Sequence, residues 1–252
     1  MLIVERHREI LSRVNREGSA RVTELARLLQ VTEETIRRDL EKLEVEGRLL
    51  RSHGGAVTVK SDTRELPFSV RQVSQEQEKI AIAAAAVCHV SEGDTLFIDA
   101  STTAWQFARV LPDIRVTVLT NAIKVVLELA SRARARVICT GGALSTAPMA
   151  LVGPSAERIL EDYHVDKVFF SAKAVDLERG LSDANEIHAT LKRRMLAIAD
   201  QRILLADHTK FGVNALTVFG RLAEVTHVIT DRRIDPAVLK ELRKMRLKVS
   251  VA

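Results

Sequence analysis

The sequence is poor in the groups that staple small secreted domains together. Its 252 residues hold only two cysteines, one tryptophan and one tyrosine. Cys88 and Cys139 each sit in apolar sequence, which argues against a disulfide framework and predicts buried thiols in a reducing compartment. Long hydrophobic runs are missing too. No stretch approaches the roughly 18 apolar residues of a membrane span, and the charged start, residues 1–8, lacks the apolar region of a secretory signal. The cytoplasm is the expected location, with no membrane partner. The seven histidines are scattered without an HExxH spacing, and no GxSxG elbow, Walker loop or GxGxxG is present. Neither a metal nor a cofactor is therefore expected. No sign of charge dominates: 38 Lys and Arg against 33 Asp and Glu leave a net charge of +5. That balance permits a polyanionic partner without identifying one.

What is present begins with a small helical module. Ile3, Val4, His7, Ile10, Leu11 and Val14 fall at the spacing of one helix face, with Gly18 as its stop. Thr23 then reads as an N-cap with Glu24 in the first turn, followed by an apolar face of Leu25, Ala26, Leu28 and Leu29. Thr32 is a second N-cap signal, with Glu33 and Glu34 in the next first turn, where acidic side chains suit the helix dipole. The third helix turns Ile36, Leu40 and Leu43 inward and ends near Gly47. Two short helices joined by a few residues have the spacing of a helix-turn-helix. With that face inward, Thr35, Arg37, Arg38 and Lys42 point outward. Arginine matches a guanine edge with paired hydrogen bonds, and lysine suits a phosphate. Residues 48–57 read as two short strands closed by Gly54-Gly55, a wing carrying Arg51 and His53. A plain three-helix bundle with solvated arginines is the competing reading; turn spacing, caps and a basic wing together favour DNA. The candidate DNA-contacting residues are Thr23, Thr32, Thr35, Arg37, Arg38, Lys42, Arg51 and His53.

Residues 59–77 are polar, contain Pro67 and show no sustained period, so they are expected to form a linker between a module at 3–58 and a domain at 78–252. Beyond them, β-rich runs at 95–98, 116–119, 137–139, 167–170, 203–205, 225–229 and 248–251 alternate with helical stretches at 79–90, 122–133, 155–162, 186–199 and 236–245. Continuous apolar strands between helices predict an α/β fold, a doubly wound and mainly parallel sheet. Ligands sit at the carboxyl ends of such strands. Polar clusters recur there: 99–103, Thr120-Asn121, Thr140-Gly141-Gly142, Ser171-Ala172-Lys173 and 207–210. A hydroxyl-rich turn entering a helix offers backbone N–H groups to an anion, so the convergence predicts a pocket for a phosphorylated ligand. The main rival is a sugar-phosphate isomerase-like enzyme with Asp99 and Glu186 as general base and partner. A nucleoid-type protein that binds DNA without sequence preference is a further alternative.

Arg8-Glu9-Ile10-Leu11, Thr32-Glu33-Glu34-Thr35-Ile36-Arg37-Arg38-Asp39-Leu40 and Leu50-Arg51-Ser52-His53-Gly54-Gly55-Ala56 together resemble the winged helix-turn-helix signature of the DeoR family. The polar clusters, with Gly153-Pro154, resemble landmarks of that family's sensor domain, so the resemblance spans nearly the whole chain. It implies a transcription regulator, more often a repressor, of a sugar-metabolism operon. The regulator would bind double-stranded operator DNA as a homodimer or homotetramer and respond to a phosphorylated sugar without turning it over. The implied sensor fold is similar to ribose-phosphate isomerases and CoA-transferase-like enzymes. Ser101, Thr102 and Thr103 would hold phosphate, Lys173 and Lys210 would supply charge, and Asn185 and Glu186 would meet sugar hydroxyls. Asp99, Asn121, Gly141 and Gly142 complete the implied ligand set. At Phe170-Ser171-Ala172-Lys173-Ala174 the chain departs from the pattern, because many relatives carry glycines there.

Overall fold

In a computed structural model, the structure describes residues 3–17, 19–45, 48–52, 54–57, 66–245 and 247–252. Gly18, Gly47 and His53 lie outside these residues, as does the 59–65 part of the expected linker. The chain divides into two compact units, Met1–Asp62 and Thr63–Ala252.

The first unit holds α1 (Ile3–Glu17), β1 (Ser19–Arg21), α2 (Val22–Leu29), α3 (Glu33–Val45), β2 (Leu50–Ser52) and β3 (Gly55–Val57). Ile10 and Val14 of α1 meet Leu25 of α2 and Ile36, Leu40 and Leu43 of α3 in one core. Ile3, Val4 and Leu28, expected on inward faces, are exposed. The strand β1 was not anticipated. It pairs antiparallel with β3, which also pairs with β2, so the wing is a three-stranded sheet. A Cβ on Gly55 would lie 2.3 Å from the carbonyl oxygen of Ala20, so this close approach requires glycine. Leaving β1 in extended backbone, the chain enters α2 one step early. Arg21 is the N-cap residue, and Thr23 lies inside the helix rather than capping it. Thr32 does cap α3, its Oγ1 accepting from the Thr35 N–H at 3.2 Å. The turn between the helices is set by Gln30 in the left-handed region, φ 53°.

Burial makes Asp39 the anchor of α3. It accepts from Arg6 Nε at 2.5 Å and Nη2 at 3.1 Å, and its Oδ1 lies 3.0 Å from His7 Nε2. Desolvation pushes the Asp39 carboxyl up, but the Arg6 and His7 contacts outweigh it and hold the group below its ordinary value.

The second unit opens with α4 (Phe68–Val73) and α5 (Glu76–Ala86) and continues through β4 (Thr95–Ile98), α6 (Thr102–Val110), β5 (Val116–Thr120), α7 (Ile123–Leu129) and β6 (Ala135–Cys139). A hairpin of β7 (Ala143–Ser145) and β8 (Ala150–Val152) leads to α8 (Pro154–Leu160) and β9 (Val165–Phe170). Then come β10 (Ala174–Asp176), β11 (Gly180–Asp183), α9 (Glu186–Ala197), β12 (Ala199–Leu205), β13 (Thr217–Gly220), β14 (His227–Thr230), α10 (Pro236–Lys244) and β15 (Lys248–Val251). The seven anticipated β-runs form one parallel sheet, ordered β15-β14-β12-β9-β4-β5-β6. Alternate residues feed opposite cores, as the two-residue period of a strand dictates. Leu96 and Ile98 pack with α5, α6 and α7, while Phe97 packs with α8, α9 and α10.

Two expectations are corrected here. The linker stretch 59–77 is helical from Phe68 on, because a buried Phe68 anchors it edge-on to Trp105 at 5.5 Å. Cys88 is exposed and Cys139 only partly buried, so neither is a buried core thiol. The small antiparallel pieces, β7-β8 and β10-β11-β13, were also not foreseen.

Candidate DNA-reading surface and ligand pocket

Along α3, Arg37, Arg38 and Lys42 are exposed and Thr35 is half-buried. The two arginines are held by the first-turn glutamates: Arg37 by Glu33 at 2.7 Å and Arg38 by Glu34 at 3.4 Å. Exposed pairs of this kind are worth only about 0.2–1 kcal/mol, so a guanine edge or a phosphate can displace them at little cost. Thr32 is exposed, but its hydroxyl is occupied as the cap and lies 2.9 Å from Thr35 Oγ1. Arg51 is exposed on β2, its backbone N–H fixed to Glu44 Oε1 at 3.0 Å. The wing tip is tied to the reading motif by the Val22 N–H, which donates to the Gly54 carbonyl at 2.9 Å. Thr23 is exposed on α2.

In the second unit a cavity opens where the strand ends meet α4, α6 and α9. Of the candidate ligand residues, Asp99, Ser101, Thr102, Thr103, Asn121, Lys173 and Lys210 line it. Ser101 is the N-cap of α6, its hydroxyl accepting from the Ala104 N–H at 3.0 Å. Thr102 is the first residue of the helix. The first intrahelical bond of α6 runs from Trp105 to Ser101 at 3.0 Å, so the N–H groups of Thr102 and Thr103 precede it, where an anion is favoured. Asp99, 1% exposed, spends its two oxygens on the backbone N–H groups of Ser101 at 3.0 Å and Ser171 at 3.1 Å. It therefore fastens the ends of β4 and β9 together.

The other four candidates do not line this cavity. Gly141 and Gly142 have positive φ values of 65° and 107°. A Cβ on Gly142 would stand 2.6 Å from the Val152 carbonyl oxygen, so that glycine serves the packing of the β8 end. Asn185 is exposed and caps α9 by accepting from the Ile187 N–H at 2.9 Å. Glu186 is exposed in the first turn of α9. Asp99 and Glu186 are thus not brought together as an acid-base pair.

Three cationic residues that were not anticipated line the cavity: Arg71 on α4, Lys79 on α5 and Lys192 on α9. The Lys192 ammonium lies 2.9 Å from Asp183 Oδ2, donates to the Ser171 carbonyl at 2.7 Å and is 3.7 Å from Asp99. Burial raises the Asp183 carboxyl, yet the Lys192 charge prevails and holds it below its usual value. Lys79 is 4% exposed and donates to the carbonyls of Arg71 and Ser74, the latter at 2.5 Å. Burial, then the nearby Lys210 charge, brings its ammonium down to about 8. A buried ammonium lowered in part by a neighbouring cation marks a site prepared for a negative charge. Acceptors are prepared as well. Asn121 Oδ1 and Asp207 Oδ2, both buried and both on residues lining the cavity, have no hydrogen-bond partner among the described residues.

The stripe His188, Leu191, Lys192 and Met195, at the spacing of one helix face, was the available signal for Lys192. Lys79 carries the same signal, since Lys79, Ile82, Ala83 and Ala86 fall on one buried face of α5.

A capped reading helix beside a β-wing, joined to a sheet whose strand ends line a cationic pocket, defines a two-part transcription regulator: a DNA reader and a sensor. The DeoR-like helix-turn-helix domain matches residues 6–62, and the DeoR C terminal sensor domain matches residues 74–232. The chain is 47% identical over 250 residues to the uncharacterized HTH-type transcriptional regulator YulB of Bacillus subtilis (strain 168), covering 99% of this chain and 97% of that one. It is 38% identical over 211 residues to the L-fucose operon activator of Escherichia coli (strain K12), covering 83% and 87%. It is 33% identical over 245 residues to the transcriptional repressor AccR of Agrobacterium fabrum, covering 95% of each. The protein belongs to the DeoR family of transcription regulators. Among the described residues no helix is long and apolar enough to cross a membrane.

Proposed function

We propose that α3 and the wing bind operator DNA sequence-specifically and that the cavity takes a phosphorylated sugar whose binding changes operator occupancy. The observation that carries the ligand reading is the joint presence, around one cavity, of the α6 N-terminus, Lys79 and Lys210, with two buried acceptors lacking partners among the described residues. A phosphate meets the first set and sugar hydroxyls meet the second. Arg37 and Arg38 read base edges, while Lys42 and Arg51 contact backbone. A single winged motif covers one half-site, so the operator is a pair of half-sites and the protein is a homodimer or homotetramer. Repression is the proposed sign, in line with relatives named as repressors, and a reporter strain carrying the gene with its operator measures it directly.

Turnover is not part of this reading, because Asp99 is already committed to two backbone N–H groups and Glu186 stands outside the cavity. Calorimetric titration of a sugar-phosphate panel, with the free sugars as controls and product analysis of each mixture, tests the whole reading. A phosphorylated sugar binds, its free sugar does not, and Lys210→Ala weakens the binding while leaving operator affinity intact. Tight binding of a free sugar unaffected by Lys210→Ala rejects the phosphate pocket. For the DNA half, Arg38→Ala lowers specific affinity by about 1–3 kcal/mol, whereas Lys42→Ala weakens all sequences alike and reduces the salt slope by about one.

A further inference from the structure

The helix α4 is the first described element after the segment that joins the two units, and its C-terminal end is held by a lysine that lines the ligand cavity. At its start, Phe68 donates its N–H to the Ala147 carbonyl at 2.6 Å, and its ring packs edge-on against Trp105 of α6. At its end, the carbonyls of Arg71 and Ser74 accept from the ammonium of Lys79. A helix end ordinarily leaves its last carbonyls to water or a cap; here a cation from the next helix closes them. Lys79 springs from α5, whose Ile82, Ala83 and Ala86 are fully buried against the parallel sheet, so its stem is fixed and its head is the adjustable part. An ammonium has three N–H donors, and two are spent on α4. The third is available on the cavity side, where Lys79 lines the same space as Lys210 and the α6 N-terminus.

Resting on the phosphate reading above, we propose that Lys79 couples the pocket to α4, the first described helix of the sensor unit: an anion bound there locks the Lys79 ammonium onto the end of α4. Without the anion the clasp on α4 is made, but burial and the Lys210 charge work against the Lys79 ammonium that makes it. With the anion, Lys79 and Lys210 share a counter-charge and the clasp tightens. A ligand shifts an equilibrium only by its differential interaction with the two states, and the Lys79 contact supplies that difference at the end of α4. Arg71, whose Nε donates to the Leu66 carbonyl at 3.1 Å, extends the same control to the residues before the helix.

The test uses the full-length protein with inorganic phosphate as the probe and chloride at equal ionic strength as the control. Calorimetry measures binding, and hydrogen exchange by mass spectrometry measures protection of residues 68–75, with α9 and β15 as references. Saturating phosphate slows exchange in 68–75 by about tenfold and leaves β15 unchanged. In Lys79→Met, exchange in 68–75 is fast with or without phosphate. In Lys210→Met, more phosphate is needed, but the slowing at saturation remains. Phosphate binding to the wild type with unchanged exchange in 68–75 overturns the coupling alone, and so does a full phosphate response in Lys79→Met. Failure of phosphate to bind the wild type overturns the anion pocket and the coupling together, and calorimetry separates the two failures. Should Lys79→Met not fold, the wild-type comparison decides by itself.

Discussion

At the scale of single residues, the least conspicuous charges carry the most consequence. In sequence, Asp39 reads as one more charge after Arg37 and Arg38; only folding brings Arg6 and His7 from α1 against it. Removing one partner of a buried ion pair strands the other. Asp39→Ala therefore destabilises the first unit by about 3–5 kcal/mol, seen as a shifted first transition in urea unfolding. Because the folded Asp39 pKa lies below the ordinary carboxylate value, this stabilisation is present at neutral pH and is lost as the pH falls through the folded value. For Lys79 the pH slope has the same sign, but the shift reflects a cost of burying charge rather than a gain from pairing it. Its folded value near 8 lies below the ordinary 10.5, so unfolding takes up a proton between those values and stability rises with pH across that window. Anion binding favours the charged form. Facing Lys210, Arg71, Asp207 and Glu76, Lys79 takes up part of a proton on binding near pH 8, and affinity falls above it. Calorimetry of phosphate binding in buffers of different ionisation enthalpy reads that uptake; a buffer-independent heat at pH 8 contradicts it. The threonines of α6 were legible because they follow a buried strand directly. Lys79 and Lys192 were missed although each falls on an apolar helix stripe, because the stripe places the helix face and not what the lysine head meets.

At the scale of elements, legibility followed burial on two faces. Each of the seven parallel strands carries an apolar run because helices cover both sides of the sheet, and six were anticipated within about two residues of their observed limits, while β12 begins at Ala199 rather than at 203. The pieces that escaped are three or four residues long and flank the cores, among them β1, the β7-β8 hairpin and β10-β11-β13. Helix α4 escaped because, of its six residues, only Phe68 is buried. Such segments take their conformation from partners distant in sequence. Strand β1 exists because Gly55 lets β3 approach it. Gly55→Ala places a methyl group against the Ala20 carbonyl oxygen. It is expected to cost about 1–3 kcal/mol and to lower operator affinity by displacing the wing, while the second unit's melting is unchanged. Equal melting of both units and full operator affinity would show that the three-stranded wing does not constrain the reader.

At the scale of the whole molecule, the two units divide the work along the chain, and the same rules of charge govern both. In the sensor unit, cations crowd a cavity and await an anion. In the reader, the arginines of α3 are already partnered by Glu33 and Glu34, one helical turn behind them. A genome offers on the order of 10⁶–10⁹ wrong sites for each right one, and a bare cationic helix would linger on all of them. Carboxylates that hold the arginines until a matching base edge competes for them weaken the grip on random sequence more than the grip on the operator. Replacing both glutamates with glutamine should therefore steepen the salt dependence of non-specific binding and tighten it more than operator binding, as competition assays with random duplex would measure. The two acids at the front of α3, which look misplaced on a surface meant for phosphates, shorten the time the protein spends on the wrong DNA.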